Sequence, residues 1–194
     1  MEPSMANRHG IIAGATGSGK TVSLKVLSEA FSALGVPVFV SDVKGDLAGM
    51  SAAGTMTDNV KNRLNDFGID DFSFEAYPVT FWDVYGKNGI PLRTTISEMG
   101  PMLLARIMNL TNVQSDVLSV IFKIADDENL LLIDTRDLKS MIAYVSEKSK
   151  ELEPSYGKLS GQSLAAITRS VVTLEAEGGE TFFGEPALSV TDWF

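Results

Sequence analysis

The stretch around which the predicted fold is organised reads Gly14-Ala15-Thr16-Gly17-Ser18-Gly19-Lys20-Thr21. Its pattern, G-x-x-x-x-G-K-T, is typical of loops that cradle phosphate groups. The glycines allow successive backbone N–H groups to point inward, and they leave room for phosphate oxygens. The lysine ammonium can reach the β- and γ-phosphates of a nucleotide, and the threonine hydroxyl can bind Mg²⁺. Residues 14–21 are called the glycine-rich loop below.

The sequence on either side of this loop has the required context. A short apolar run at residues 11–13 is typical of a strand, and a helical spacing of apolar residues follows from Leu24 to Leu34. A strand-to-helix turn that binds nothing is the alternative interpretation. We predict a nucleotide-binding loop with Lys20 in a catalytic role and Thr21 as the metal ligand. The predicted binding residues are Gly14, Ala15, Thr16, Gly17, Ser18, Gly19, Lys20, Thr21 and Val22.

The composition excludes several classes of site. The chain has 194 residues, no cysteine and one histidine, so disulfides and cysteine metal sites are excluded and a zinc site is disfavoured. No apolar run approaches the ~20 residues of a membrane span, and no signal-peptide core is present, so we expect a cytoplasmic protein without a membrane partner. The net charge of −9 argues against a broadly basic nucleic-acid surface. This net charge remains compatible with an oligomeric ring that presents a few basic loops to DNA.

The first half of the chain predicts a βαβ unit. We expect strands at about 9–14 and 37–41, with a helix at about 20–34 between them. The second strand ends at residues 42–47, which should lie beside the glycine-rich loop. Asp42 or Asp46 can orient the water on Mg²⁺ or the attacking water, and both are predicted catalytic residues. The alternative is that Asp42 only caps a turn in which Gly45 supplies the backbone geometry.

The rest of the chain predicts a third strand and then helices. A short helix is expected at 58–67, a strand at 79–85, a turn at 86–89 and a hairpin partner at 90–93. The aromatic residues of this strand are interpreted as core residues rather than as a base-stacking platform. Four amphipathic helices follow. The first is capped by Ser97 and runs through Met108, and the second spans 113–125. The third begins after Thr135 as its N-cap, and the fourth spans 160–177.

The predicted fold class is therefore α/β, a P-loop NTPase core with a mostly parallel sheet and a helical insertion. We predict three parts: residues 1–95 as the N-terminal part of the core, 96–180 as the helical insertion, and 181–194 as a truncated return toward the core. Residues 130–134 (L-L-L-I-D) match a Walker B strand locally, but Thr135 rather than Glu follows Asp134. The context is better explained by a helix start. We expect the chain to be an N-terminal piece of a longer ATPase, with the Walker B acid beyond residue 194.

Several segments together carry a family resemblance. The chain resembles the HerA/FtsK-type P-loop ATPases, and most closely the bacterial HerA-like helicase C-terminal-domain group. The matching segments are R-H-G-I-I-A-G-A-T-G-S-G-K-T (8–21), V-F-V-S-D-V-K-G-D-L (38–47), G-P-M-L-L-A-R (100–106), I-A-D-D (124–127) and F-F-G-E-P (182–186). The resemblance implies ATP and Mg²⁺ as cofactors, a homo-oligomer of hexameric type, and DNA as a partner of the full-length protein.

Three functions remain open at this point. The first is Mg²⁺-dependent ATP hydrolysis by a motor ATPase, a DNA helicase or translocase, with poor hydrolysis by this fragment alone. The second is a nucleotide-binding regulatory switch that moves no DNA. The third is a small-molecule kinase with a helical lid, although no arginine-rich lid segment is present.

Overall fold

The computed structural model describes residue 5, residues 7–189 and residue 191. Helices account for 55% of the described residues and strands for 3%. The chain divides between Val79 and Thr80 into two compact units, which are described separately. No helix within the described residues is both long and apolar enough to cross a bilayer.

Within its described residues, the first unit contains two α-helices. Helix α1 spans Lys20–Ala33. Gly35, just after the C-cap, has a φ of 74°, a left-handed conformation that commonly ends a helix. A short 3₁₀ helix spans Ala48–Ser51, and α2 spans Asp58–Phe67. The Thr57 side chain accepts a hydrogen bond from the N–H of Val60 and caps α2. The predictions of α1 and α2 are confirmed.

The second unit begins with two short strands and continues with helices. Strand β1 (Trp82–Asp83) pairs in parallel with β2 (Ile90–Pro91). The helices are α3 (Ile96–Ile107), α4 (Asn112–Asp127), α5 (Thr135–Glu147), α6 (Ser149–Tyr156), α7 (Gly161–Leu174) and α8 (Glu180–Phe182). A π-helical segment, Glu175–Gly179, joins α7 to α8.

The predicted α/β fold class is wrong. No strand forms at 9–14 or 37–41, and the only sheet among the described residues is the two-stranded β1–β2 pair. A strand is stable only when a neighbouring strand accepts its backbone hydrogen bonds and other elements cover its faces. Here the side chains of Ile11 and Phe39 are 90% and 65% exposed, so these runs are not buried on both faces. The hairpin prediction is also wrong, because β1 and β2 run parallel.

Helix starts were predicted to within a few residues. The N-cap of α3 is Thr95 rather than Ser97, and that of α5 is Asp134 rather than Thr135. In both cases the cap side chain and the residue three positions later bond reciprocally, and this capping box determines the start. Ser160 is the N-cap of α7, which agrees with the predicted start of the 160–177 helix. The sequence analysis did not anticipate α6.

The hydrophobic core lies in the second unit, where α4 packs against α3, α5 and α7. Its fully buried side chains occupy one face of each helix, as amphipathic spacing requires. They are Ile96, Leu104, Leu118, Ile121, Ile124, Leu138, Val145, Ile167 and Val171.

Polar side chains connect distant segments of this unit. The Arg93 guanidinium donates to the carbonyl oxygens of Thr181 and Glu185, and the N–H of Thr94 donates to the carbonyl of Phe182. Lys139 of α5 lies 2.7 Å from a carboxylate oxygen of Glu175, at the end of α7. The hydrogen bond from Lys139 lowers the pKa of Glu175.

The predicted division of the chain into parts at residues 95 and 180 stays a prediction.

Candidate functional site

The glycine-rich loop turns sharply before α1. Gly17 and Gly19 have φ values of 82° and 90°, a region that side chains other than glycine rarely enter. The loop is also closed on itself, because the N–H of Ser18 donates to the carbonyl of Ala15. A β-carbon on Gly14 would come close to the Ser18 side chain, which would have to move to accommodate it. The tight turn therefore depends on Gly17 and Gly19, the two glycines of the motif with positive φ.

The Lys20 side chain folds back over this loop. Its ammonium nitrogen lies 2.7 Å from the carbonyl oxygen of Gly14 and 2.7 Å from that of Ala15. These two bonds place a positive charge at the loop rather than in the surrounding solvent. An ammonium has three donors, so one remains for a further acceptor. The lysine is thus held where a phosphate bound to the loop would be neutralised.

The loop ends at a helix N-terminus that no side chain caps. Gly19 is the N-cap of α1 and supplies no cap side chain, and the first turn contains no acidic residue. The first N–H groups of a helix have no partner within the helix, and together with the helix dipole they favour an anion. Helix α1 therefore presents N–H donors and a partial positive charge at the end of the glycine-rich loop.

Thr21 is the residue whose hydroxyl is predicted to bind Mg²⁺. Its side chain is exposed in the first turn of α1, and Val22 beside it is 62% exposed. Among the described residues, no group of three or more Asp, Glu, His or Cys side chains is placed to hold a metal. Mg²⁺ bound with a nucleotide keeps several waters and takes phosphate oxygens as ligands, so a single protein hydroxyl fits this mode of binding.

Asp42 forms a tight carboxylate-centred turn. Its Oδ1 accepts from the N–H groups of Lys44, Gly45 and Asp46, and its Oδ2 accepts from that of Leu47 at 2.8 Å. These bonds, led by the one from Leu47, lower the pKa of Asp42. The turn-capping interpretation therefore describes what this carboxylate does in the structure, and Gly45 adopts a φ of 77° within it.

Asp46 differs from Asp42 in its surroundings. Its side chain is exposed, and its N–H group donates to Asp42 at 3.2 Å. The 42–47 turn and the glycine-rich loop belong to the same compact unit. Between these two described segments there is no hydrogen bond or ion pair. The role of either aspartate toward water thus stays a prediction.

Comparison with known families identifies a match over the whole chain. A family model described as helicase HerA-like C-terminal matches residues 1–194, the whole of the chain. The chain belongs to the HerA-like helicase C-terminal family. Comparisons with curated proteins and with solved structures returned no match. The family resemblance inferred from the sequence is confirmed.

A second carboxylate-centred turn in this HerA-like chain escaped the sequence analysis. Asp83 accepts hydrogen bonds from the N–H groups of Tyr85, Lys87 and Asn88 at 2.8–2.9 Å. The bond from Asn88 is the largest of the effects that lower the pKa of Asp83. The signal was available, because D-V-x-G occurs at residues 42–45 and again at 83–86.

The local Walker B match of the HerA-like chain belongs to a helix start. Asp134 Oδ1 accepts from the N–H groups of Arg136 and Asp137 at 2.7 and 3.1 Å. The preceding residues dock on α3, where the N–H of Ser97 donates to the carbonyl of Leu132. The helix-start interpretation of Asp134 is therefore confirmed, and its carboxylate acts as an N-cap.

Proposed function

We propose that residues 14–22 bind the phosphates of ATP together with Mg²⁺, and that the protein is the ATP-binding part of a HerA-like motor ATPase acting on DNA. One observation carries the proposal. The Lys20 ammonium is held 2.7 Å from two carbonyls of the loop, next to a helix N-terminus that no side chain caps. Charge-assisted donors and a helix dipole are thus gathered at one place, as phosphate binding requires.

Each part of this site has a distinct role in the proposal. The N–H groups of Gly17, Gly19, Thr21 and Val22 hold the phosphate oxygens. Lys20 exchanges its carbonyl partners for the β- and γ-phosphates. The Thr21 hydroxyl is the protein ligand of Mg²⁺. A Mg²⁺ ion held there would supply positive charge that offsets the negative charge developing on the phosphate oxygens during hydrolysis.

We propose Asp46 rather than Asp42 as the acidic side chain that orients water. The Asp42 carboxylate is already engaged by four backbone N–H groups, whereas the Asp46 side chain is exposed. Asp134 is likewise occupied as a helix cap. We accordingly expect this chain to bind ATP and to hydrolyse it slowly by itself.

The experiment for the nucleotide site is calorimetric titration of ATP in the presence of Mg²⁺. Lys20→Ala removes the ammonium, and a charged hydrogen bond contributes about 1.5–3 kcal/mol, so affinity should fall at least about tenfold. The matched control is Lys25→Ala, which removes a lysine of the same helix outside the loop. Unchanged affinity in Lys20→Ala, or an equal loss in Lys25→Ala, would overturn the assignment.

The motor part of the proposal has a separate test. The family description names a helicase, so DNA should stimulate ATP turnover by the protein, which we propose acts as a hexamer. The measurement is the steady-state rate of phosphate release with and without double-stranded DNA. A rate that DNA leaves unchanged would contradict a motor and favour a nucleotide-dependent switch.

A further inference from the structure

The loop between β1 and β2 contains the chain's only Asn-Gly dipeptide, Asn88-Gly89. Asn88 lies on the surface, and Gly89 is partly buried. Asparagine is among the thermolabile residues, and a following glycine offers the least steric hindrance to attack by the next backbone nitrogen. This loop is remote in sequence from the proposed nucleotide site.

The two groups that would react are unengaged. Within the described part of the chain, the Gly89 N–H donates no hydrogen bond and the Asn88 side-chain amide makes none. The backbone N–H of Asn88 is held by Asp83 at 2.8 Å, which fixes the loop at that residue without blocking its side chain. The nucleophile and the electrophile are thus adjacent, and neither is protected by a hydrogen bond.

We propose that Asn88 is a site of spontaneous deamidation in the folded protein. The backbone nitrogen of Gly89 bonds to Cγ of Asn88, and the Cγ–Nδ2 bond breaks. Ammonia leaves with the proton lost by Gly89, and a five-membered succinimide remains. Water then adds to either carbonyl of this ring and opens one C–N bond. The products are aspartate and isoaspartate at position 88.

The surroundings of Gly89 restrict this position to glycine. A β-carbon at this position would lie 2.7 Å from the carbonyl oxygen of Phe81, so a larger residue does not fit. The same carbonyl accepts the N–H of Ile90 at 2.9 Å, next to the β1–β2 pairing. Close packing therefore selects glycine, and glycine makes the preceding asparagine reactive.

The modification would weaken the loop in two ways. Isoaspartate adds one methylene to the backbone directly before Gly89, which displaces Ile90 from the Phe81 carbonyl. Either product also adds a negative charge to a residue whose N–H is bonded to the Asp83 carboxylate, and like charges at this distance repel. We expect the modified protein to lose β1–β2 pairing while the helical core persists.

The test is incubation of the folded protein in mildly alkaline buffer, followed by peptide mass mapping and an isoaspartate assay. Asn88 should convert several-fold faster than Asn109 and Asn129, which precede leucines and serve as internal controls. Asn88→Gln retains a side-chain amide and should abolish the isoaspartate signal, because the corresponding six-membered ring forms slowly.

A parallel incubation in denaturant shows whether the folded structure changes the rate of conversion of Asn88. Comparable conversion of Asn88 in the folded and the unfolded protein supports the proposal. Conversion only in the unfolded protein, or conversion no faster than at Asn109 and Asn129, would overturn it, because the loop would then protect the dipeptide.

Discussion

At the scale of single residues, two aspartates organise similar turns. Asp42 and Asp83 each accept backbone N–H groups on both carboxylate oxygens, and the pKa of each is lowered by those bonds. In both turns the glycine three positions later has a positive φ, 77° at Gly45 and 61° at Gly86. An ionised carboxylate is the best acceptor for several converging donors, so each turn depends on the charge of its aspartate.

The Asp42 turn should depend on pH. Because the folded pKa is lowered, the stabilisation is complete above the ordinary aspartate range and is lost as the pH falls through the lowered pKa. Asp42→Asn should reduce the hydrogen-exchange protection of the Gly45 and Leu47 amides at neutral pH. It should also remove the loss of protection on acidification, since an amide does not titrate there.

The control for this change is Asp46→Asn, which alters the exposed neighbour and leaves the acceptor in place. Protection at Leu47 should be unchanged in that variant. Equal exchange rates in the wild type and Asp42→Asn would refute the proposed importance of the carboxylate.

At the scale of elements, helix starts are set by cap side chains. Asp134, Thr95 and Thr111 each begin a helix through a capping box. Because these bonds join residues three positions apart, they depend on local sequence alone. The first turn of α1 lacks such a side chain, and the nucleotide proposal uses its free N–H groups.

Asp134→Ala tests whether this carboxylate is a cap. Loss of an N-cap aspartate costs about 1 kcal/mol, so the free energy of unfolding should fall by about that amount in urea titrations. Nucleotide affinity and turnover should remain at wild-type values. A large loss of turnover without loss of stability would instead identify Asp134 as a catalytic acid.

The elements differ in how far the sequence predicts them. The bounds of α2 were predicted to the residue, because Thr57, the apolar spacing and Gly68 are all local signals. The strands predicted at 9–14 and 37–41 do not form, because strand formation depends on partners that are distant in sequence. The same difference applies to the candidate site. The glycine-rich loop is a local motif, whereas the sequence left the role of Asp42 open and the structure shows its four backbone hydrogen bonds.

At the scale of the molecule, the two units differ in their burial. The second unit contains all eighteen of the buried hydrophobic side chains identified among the described residues, whereas Ser28 is the buried residue of the first. Stability arises mainly from burial of apolar surface. We therefore infer that the helices packed around α4 supply most of the folding free energy.

A pair of leucine substitutions tests this distribution. Leu118 of α4 is fully buried, and Leu118→Ala should cost about 2–5 kcal/mol of unfolding free energy. Leu103 of α3 is 52% exposed, and Leu103→Ala should cost less than about 1 kcal/mol. Denaturant unfolding measures both, and equal losses would show that the assigned core is not the one that stabilises the protein.

The most direct test of the nucleotide site is an NMR titration that follows the backbone amides of the glycine-rich loop. With ATP and Mg²⁺, the largest amide shifts should occur at Gly17, Gly19, Thr21 and Val22, because their N–H groups are proposed to hold the phosphates. AMP lacks the β- and γ-phosphates and should produce much smaller shifts there. Unshifted loop amides, or equal shifts with ATP and AMP, would contradict the assignment of this loop as the phosphate-binding site.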